Sequence, residues 1–230
     1  MIMKTLVVIV VILAGLYWGY RIVMPSATIH YRLTLTVDDN GKQYTGSSVV
    51  ELYRQDTTKV FGSMGGYGYA VRGEAVAVDL GEKGVLFALL KGDQTRNPEN
   101  WGYSEPQAIA LRAFSKAGDV IDDMQHLKTY KPKTNLNFNL LPMLVRFRDI
   151  NDPKTVERVD PDDLEKSFGS GVKLVSAEIE ITDSWVTRNV ERYLKWLYSN
   201  GKVIGYLDGQ FTGGGPELSN IIHGGDFKKE

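Results

Sequence analysis

Hydrophobic and polar residues alternate early in the chain, with Ile29, Tyr31, Leu33, Leu35 and Val37 on one parity and His30, Arg32, Thr34 and Thr36 on the other. A period of two places these sets on opposite faces of a strand, one buried and one wet. Asp38-Asp39-Asn40-Gly41 follows with residues that tolerate positive φ, and Gln43 to Tyr53 alternates again through Tyr44, Ser48, Val50 and Leu52, which predicts an antiparallel hairpin. Ala75 to Leu80 and Val85 to Leu90 predict a second hairpin around Gly81-Glu82-Lys83-Gly84. Their nearly unbroken apolar character predicts burial on both faces and a central place in a sheet. Met143 to Arg148 and Lys173 to Thr182 are read as further strands.

Helical signals come later. Ser104 is placed to cap a helix with Glu105 and Pro106 in its first turn, Ala108 to Lys116 as its body and Gly118 as its stop. Asp119 to Lys128 predicts a second, short helix. Val190, Leu194 and Leu197, flanked by Tyr193 and Trp196 and opposed by Arg188, Glu191, Arg192 and Lys195, predict a third helix lying on the sheet. Strand hairpins followed by helices predict an α+β fold, a mostly antiparallel sheet with helices packed on it.

A different pattern precedes the first strand. Leu6 to Tyr20 runs without a charge between Lys4 and Arg21, and extending it through Met3 and Met24 gives the ~20 residues a helix needs to cross a bilayer. The run ends in Tyr17, Trp18 and Tyr20, which suits an interfacial belt, and Pro25-Ser26-Ala27 is a poor cleavage site. The expectation is a retained transmembrane helix over residues 1–24, held in the lipid bilayer through Leu6, Trp18, Tyr20 and Arg21. Residues 25–230 then form a soluble extracytoplasmic domain, because a long C-terminal part is translocated largely regardless of its charge. The predicted location is the inner (plasma) membrane, single-pass, with a cytoplasmic N-terminus.

Charge and composition narrow the chemistry. With 27 Lys+Arg against 28 Asp+Glu there is no basic surplus to neutralise phosphates, so nucleic acid is not an expected partner. The absence of cysteine removes disulfides, thiol nucleophiles and Cys-ligated metals. The three histidines, His30, His126 and His223, match no zinc-binding spacing, and His30 and His126 read as solvated surface residues. No metal and no cofactor is expected. The glycine-rich stretch Gly62 to Tyr69 fits no phosphate-binding motif and reads as a loop. The acids Asp149, Asp152, Asp160, Asp162, Asp163 and Glu165 read as turn and helix-start residues.

Two places stand out as candidate sites. Ser219 and His223 are four apart with Asp226 following, a spacing that would let a nucleophile, a base and an orienting acid meet on a helix. The same letters read as capping: Pro216 and Glu217 opening a helix, His223 at its negative end and Gly224 as a left-handed cap. Trp101-Gly102-Tyr103 lies in a polar loop and offers aromatic rings to a partner. The candidate binding residues are therefore Trp101, Tyr103, His223 and Asp226, and no catalytic residue is assigned.

Gly46-Ser47-Ser48-Val49, the stretch Arg72-Gly73-Glu74-Ala75-Val76-Ala77-Val78-Asp79-Leu80-Gly81, Leu86-Phe87-Ala88-Leu89-Leu90 and Gly213-Gly214-Gly215-Pro216-Glu217-Leu218 resemble a group of uncharacterised, membrane-anchored proteobacterial proteins. The resemblance implies a bacterial envelope setting, in which the domain faces the periplasm, and carries no activity with it. The functional expectation is a membrane-anchored envelope protein whose periplasmic domain is a binding or assembly module for an envelope protein partner. The alternative is an envelope hydrolase with an unrecognised active site.

Overall fold

The computed structural model describes residues 2–96, 98–99, 101–114, 119–210 and 217–230, apart from the side chains at 2–4, 21, 59, 63 and 101. Helix α1 (Ile2–Val23) leads into the long hairpin of β1 (Ser26–Asp39) and β2 (Lys42–Asp56). A short helix, α2 (Thr58–Phe61), precedes β3 (Tyr67–Glu74), β4 (Val76–Asp79) and β5 (Val85–Ala88). Then come α3 (Pro106–Phe114), α4 (Val120–Tyr130), β6 (Lys133–Asn135), β7 (Leu144–Phe147) and β8 (Val156–Arg158). The rest comprises α5 (Glu165–Phe168), β9 (Val172–Thr182), β10 (Tyr198–Ser199), β11 (Lys202–Val203) and β12 (Lys228–Lys229).

The α+β expectation holds. A six-stranded sheet has the order β12-β3-β2-β1-β9-β6 and a four-stranded sheet the order β4-β5-β7-β8, with antiparallel pairing throughout the described residues. The first hairpin closes where expected. Asn40 (φ 51°) and Gly41 (φ 88°) supply the two left-handed residues that a tight turn between twisted strands needs, and Asp38 accepts the Gly41 N–H at 3.0 Å.

The core lies on both sides of the smaller sheet. Ile29, Leu33 and Leu35 of β1 and Ile179 of β9 pack against Leu86 and Ala88 of β5, with Ile109 of α3 and Met124 of α4 closing the cluster. Phe87, Val145 and Phe147 face the other way, into Val190, Leu194, Ile222 and Phe227. Phe87 meets Phe147, Tyr193 and Phe227 edge-on, with centroids 5.7–6.2 Å apart. The apolar hairpin is thus buried on both faces as predicted, but it belongs to a second sheet in which β4 is an edge strand.

Two expectations are corrected. The first is the transmembrane helix: among the described residues no helix is long and apolar enough to cross a membrane. The part of α1 with described side chains, residues 5–20, measures about 24 Å at 1.5 Å per residue, against a hydrocarbon core of roughly 30 Å. The reading of a span depended on carrying the run past Lys4 and Arg21, whose side chains lie outside the described residues. The second is the helix expected around Val190 to Leu197. That segment forms a 3₁₀ turn at Val190–Arg192 and irregular turns that run directly into β10, and Ile204 N–H returns to Leu197 O at 3.0 Å. Val190, Leu194 and Leu197 are buried all the same, because packing against Phe87 and Phe227 needs their spacing and not a continuous helix.

The layers touch where Gly46 of β2 faces β4. A Cβ at Gly46 would lie 2.1 Å from Ala77 O, a contact that only backbone movement relieves. Gly46→Ala is expected to lower stability by about 1–3 kcal/mol or more, the usual range for overpacking. The urea midpoint measures it, and an unchanged midpoint would show that the sheets are not in this contact.

Candidate functional site

The wet face of the six-stranded sheet carries a row of charges set by register. His30 of β1 stands opposite Glu51 of β2, and Glu51 stands opposite Arg72 of β3. His30 Nε2 lies 3.1 Å from Glu51 Oε2, and Arg72 Nη1 lies 3.6 Å from Glu51 Oε1. One step along, Arg32 pairs with Glu180 of β9. Opposite charges facing each other across strands stabilise a sheet while leaving a polar surface.

After β9 the chain doubles back over this face as a strap, residues 183–189. His30 Nδ1 lies 2.7 Å from Ser184 O, and Arg32 Nη2 donates to Ser184 Oγ at 2.7 Å. Thr187 continues the sheet edge: its N–H donates to Val49 O at 3.2 Å and its Oγ1 accepts from Val49 N–H at 2.8 Å. The strap ends on the buried carboxylate of Glu74, which accepts the N–H groups of Asn189 and Val190 at 2.6–2.9 Å. Both ring nitrogens of His30 are thus engaged, one with a backbone carbonyl of the strap and one with a carboxylate of β2.

Between strap, strands and C-terminus opens a cleft of about 590 Å³, lined by His30, Glu51, Arg72, Trp185, Arg188 and the residues Lys228 to Glu230 among others. Arg72, Arg188, Lys228 and Lys229 stand with Glu51 and Glu230 and with Glu191, the partner of Lys228, four cations against three carboxylates. Trp185 is 91% exposed. Lys228 is buried under the cleft, paired with Glu191, its ammonium 5.2 Å from the Tyr198 ring centroid. Burial alone would lower its pKa, but hydrogen bonds with Glu191 and Tyr198 raise it above the ordinary lysine value, and the Lys228 bond holds Glu191 below the usual carboxylate range. Lys228 and Glu191 therefore stay charged and matched to each other at neutral pH, which leaves Arg72, Arg188 and Lys229 against Glu51 and Glu230. Among the described residues no group of three or more His, Asp or Glu is placed to hold a metal.

The residues singled out from sequence lie elsewhere. The Trp101 side chain is outside the described residues, and Tyr103, on the 3₁₀ turn Trp101–Ser104, is covered by the Arg112 guanidinium 3.8 Å from its ring centroid. Ser219 is buried in one 3₁₀ turn (Leu218–Asn220), while His223 precedes another (Gly224–Asp226), so they share no helix. Asp226 is buried; it accepts the His223 N–H at 3.1 Å and lies 3.6 Å from Lys91 Nζ. Capping is its geometry, though of a 3₁₀ turn and at the N-terminal end. Leu6, Trp18 and Tyr20 sit exposed on α1, with Tyr20 Oη accepting from Gln55 Nε2 at 2.9 Å, and the Arg21 side chain is outside the described residues. Sequence reasoning did not single out Glu51, Arg72, Arg188 or Lys228, counted Trp185 among aromatics expected mostly in the core, and read His30 as solvated. Alternation puts His30, Glu51 and Arg72 on one wet face, but only the register makes them neighbours.

No family model, curated protein or solved structure matches the chain.

Gly224 has no left-handed φ, yet it is closely confined: a Cβ there would lie 2.6 Å from Ile204 O and 2.7 Å from Val203 Cγ1. Gly224→Val is expected to destabilise by at least the ~1–3 kcal/mol of overpacking, and His223→Ala by no more than about 1 kcal/mol. Thermal denaturation of the two variants checks the order, and the reverse order would refute this account of the turn.

Proposed function

We propose that the chain is a binding or assembly module and that the cleft beneath the strap is its docking face, taken by an acidic segment of a protein partner. The observation that carries the reading is Trp185, 91% exposed and lining one cleft with Arg72 and Arg188. Tryptophan and arginine are the side chains that most often dominate protein interfaces. A large ring left in water is costly to a free protein and repaid on docking. The strap that carries it is stitched to β1 and β2 through His30, Arg32 and Thr187, so little ordering remains for the partner to supply. With Lys228 matched by Glu191, three cations against two carboxylates favour an acidic partner and steer its approach.

In keeping with the envelope setting that the resemblance implies, we place that partner in the bacterial envelope. The hydrolase alternative draws no support from the segment Ser219 to Asp226: His223 Nε2 lies 3.6 Å from Asp226 Oδ1, but Ser219 is buried in a different turn and no bond joins it to His223.

A photo-crosslinking residue at Trp185 is expected to give a discrete covalent adduct in cells, which the double variant Arg72→Glu/Arg188→Glu loses while remaining folded. The same residue at Glu82, in the turn between β4 and β5, is expected to give none. Retention of the adduct in the folded double variant, or the same adduct from position 82, would overturn the reading.

A further inference from the structure

Every large apolar side chain of α1 from Leu6 to Tyr20 is at least half exposed. The helix presents this surface on all its sides, since Val7, Val8, Ile9, Val10, Val11 and Ile12 follow one another without a polar position. A groove in a protein covers one stripe of a helix; an apolar surface running all the way round is matched by an apolar solvent. Monomeric soluble domains rarely carry contiguous apolar surface of this extent in water.

The end of the β2–β3 hairpin extends that surface. Val60, Phe61, Met64 (89% exposed), Tyr67 and Tyr69 all stand out from the domain there. The segment that bears them is closed on itself: Thr57 N–H donates to Gly66 O at 3.0 Å, and Thr57 Oγ1 accepts from Gly66 N–H at 3.0 Å. A Cβ on Gly65 would come within 2.6 Å of Thr57 O, so the turn is tightly packed against its base. Two hydrogen bonds join the hairpin end to the foot of the helix, Gln55 Nε2 to Tyr20 Oη at 2.9 Å and Asp56 N–H to Pro25 O at 3.0 Å. Arg54 stacks over Tyr67 with its guanidinium 4.9 Å from the ring centroid, bringing a cation to the margin of the apolar patch. Exposed tyrosines backed by a basic side chain match the chemistry of the headgroup boundary.

We propose that α1 and the hairpin end form one continuous surface that seats on a lipid membrane, with Phe61, Met64, Tyr67 and Tyr69 as a collar dipping into the headgroup region. The seat places α1 among the acyl chains and the collar at their boundary, and does not require the helix to reach the opposite face. It stands independently of the cleft.

The chain has no cysteine, so single-cysteine labelling is clean. Full-length protein carrying a nitroxide at Met64→Cys is added to phosphatidylcholine vesicles, with and without phosphatidylglycerol. Leu13→Cys marks the helix. Glu82→Cys marks the far end of the domain: Lys83 pairs with Asp39 at the closed end of the β1–β2 hairpin, about 40 Å along the strands from the collar. The labels at 64 and 13 are expected to be relaxed more by oxygen than by a water-soluble nickel chelate, and the label at 82 the reverse. The triple variant Phe61→Ser/Met64→Ser/Tyr67→Ser is expected to weaken vesicle partitioning on the order of tenfold. Three results would overturn the proposal: a label at 64 that behaves like the one at 82, a full-length chain that stays in the aqueous phase, or a label at 64 shielded from both agents by a second copy of the chain.

Discussion

Glu74 ends β3 with its carboxylate out of water, which would be costly were its oxygens not filled by the N–H groups of Asn189 and Val190. Much of the structure meets at this residue. Its carbonyl accepts Ser48 Oγ at 2.8 Å, so β2 and β3 stay in step beyond their last paired residues. At the next residue, Ala75, the chain leaves the large sheet for the small one, and Ala75 N–H is received by Phe227 O at 2.8 Å. Glu74 and Ala75 together therefore fix the end of the strap, the crossing between sheets and, through Phe227, the approach of β12. Two of these form walls of the cleft.

The parts that were legible in the sequence are those whose pattern and partner lie close together. The β1–β2 hairpin follows from alternation on both sides of Asn40-Gly41, and its strands pair as that turn dictates. The two-sided burial of β5 follows from an apolar run too dense for one face, with Leu86 and Phe87 taken by different clusters. The helix expected from Val190 to Leu197 fails for an instructive reason. A stripe at positions i, i+4 and i+7 records which residues must be buried, and here long-range contacts with Phe87 and Phe227 bury them without helical hydrogen bonding. The span expected of α1 was read past the charges at Lys4 and Arg21, where a count of uncharged residues alone stops short.

The site was less legible because it is assembled from distant segments. His30 and Ser184 are separated by 154 positions and Glu74 and Asn189 by 115, and no local spacing records such pairs. What sequence favoured instead was local: aromatics in a polar loop at Trp101 to Tyr103, and a serine, a histidine and an aspartate within a few residues. Tyr103 carries the Arg112 guanidinium on its ring and Asp226 caps its own turn, so both residues also have a local structural role. Trp185 carried the opposite signal, a large ring directly after a polar strand end, which alternation alone treats as one more position.

Strand β3 links the collar to the cleft. It begins at Tyr67 and Tyr69 in the collar and reaches Arg72 and Gly73 in the cleft, so the centres of the two are separated by roughly five residues of strand, about 17 Å. A domain seated by its collar holds the cleft at a fixed height and orientation above the lipid, with β3 as the spacer. A partner confined to the same surface then meets Trp185 and its arginines at a raised local concentration, and an interface too small to persist in free solution gains occupancy from geometry alone. The cationic surplus of the cleft acts in the same direction near an anionic surface, where it adds to attraction until an acidic segment displaces the lipid headgroups. The strap needs to be rigid for this to work, and the bonds from His30, Arg32, Val49 and Glu74 make it so before any partner arrives.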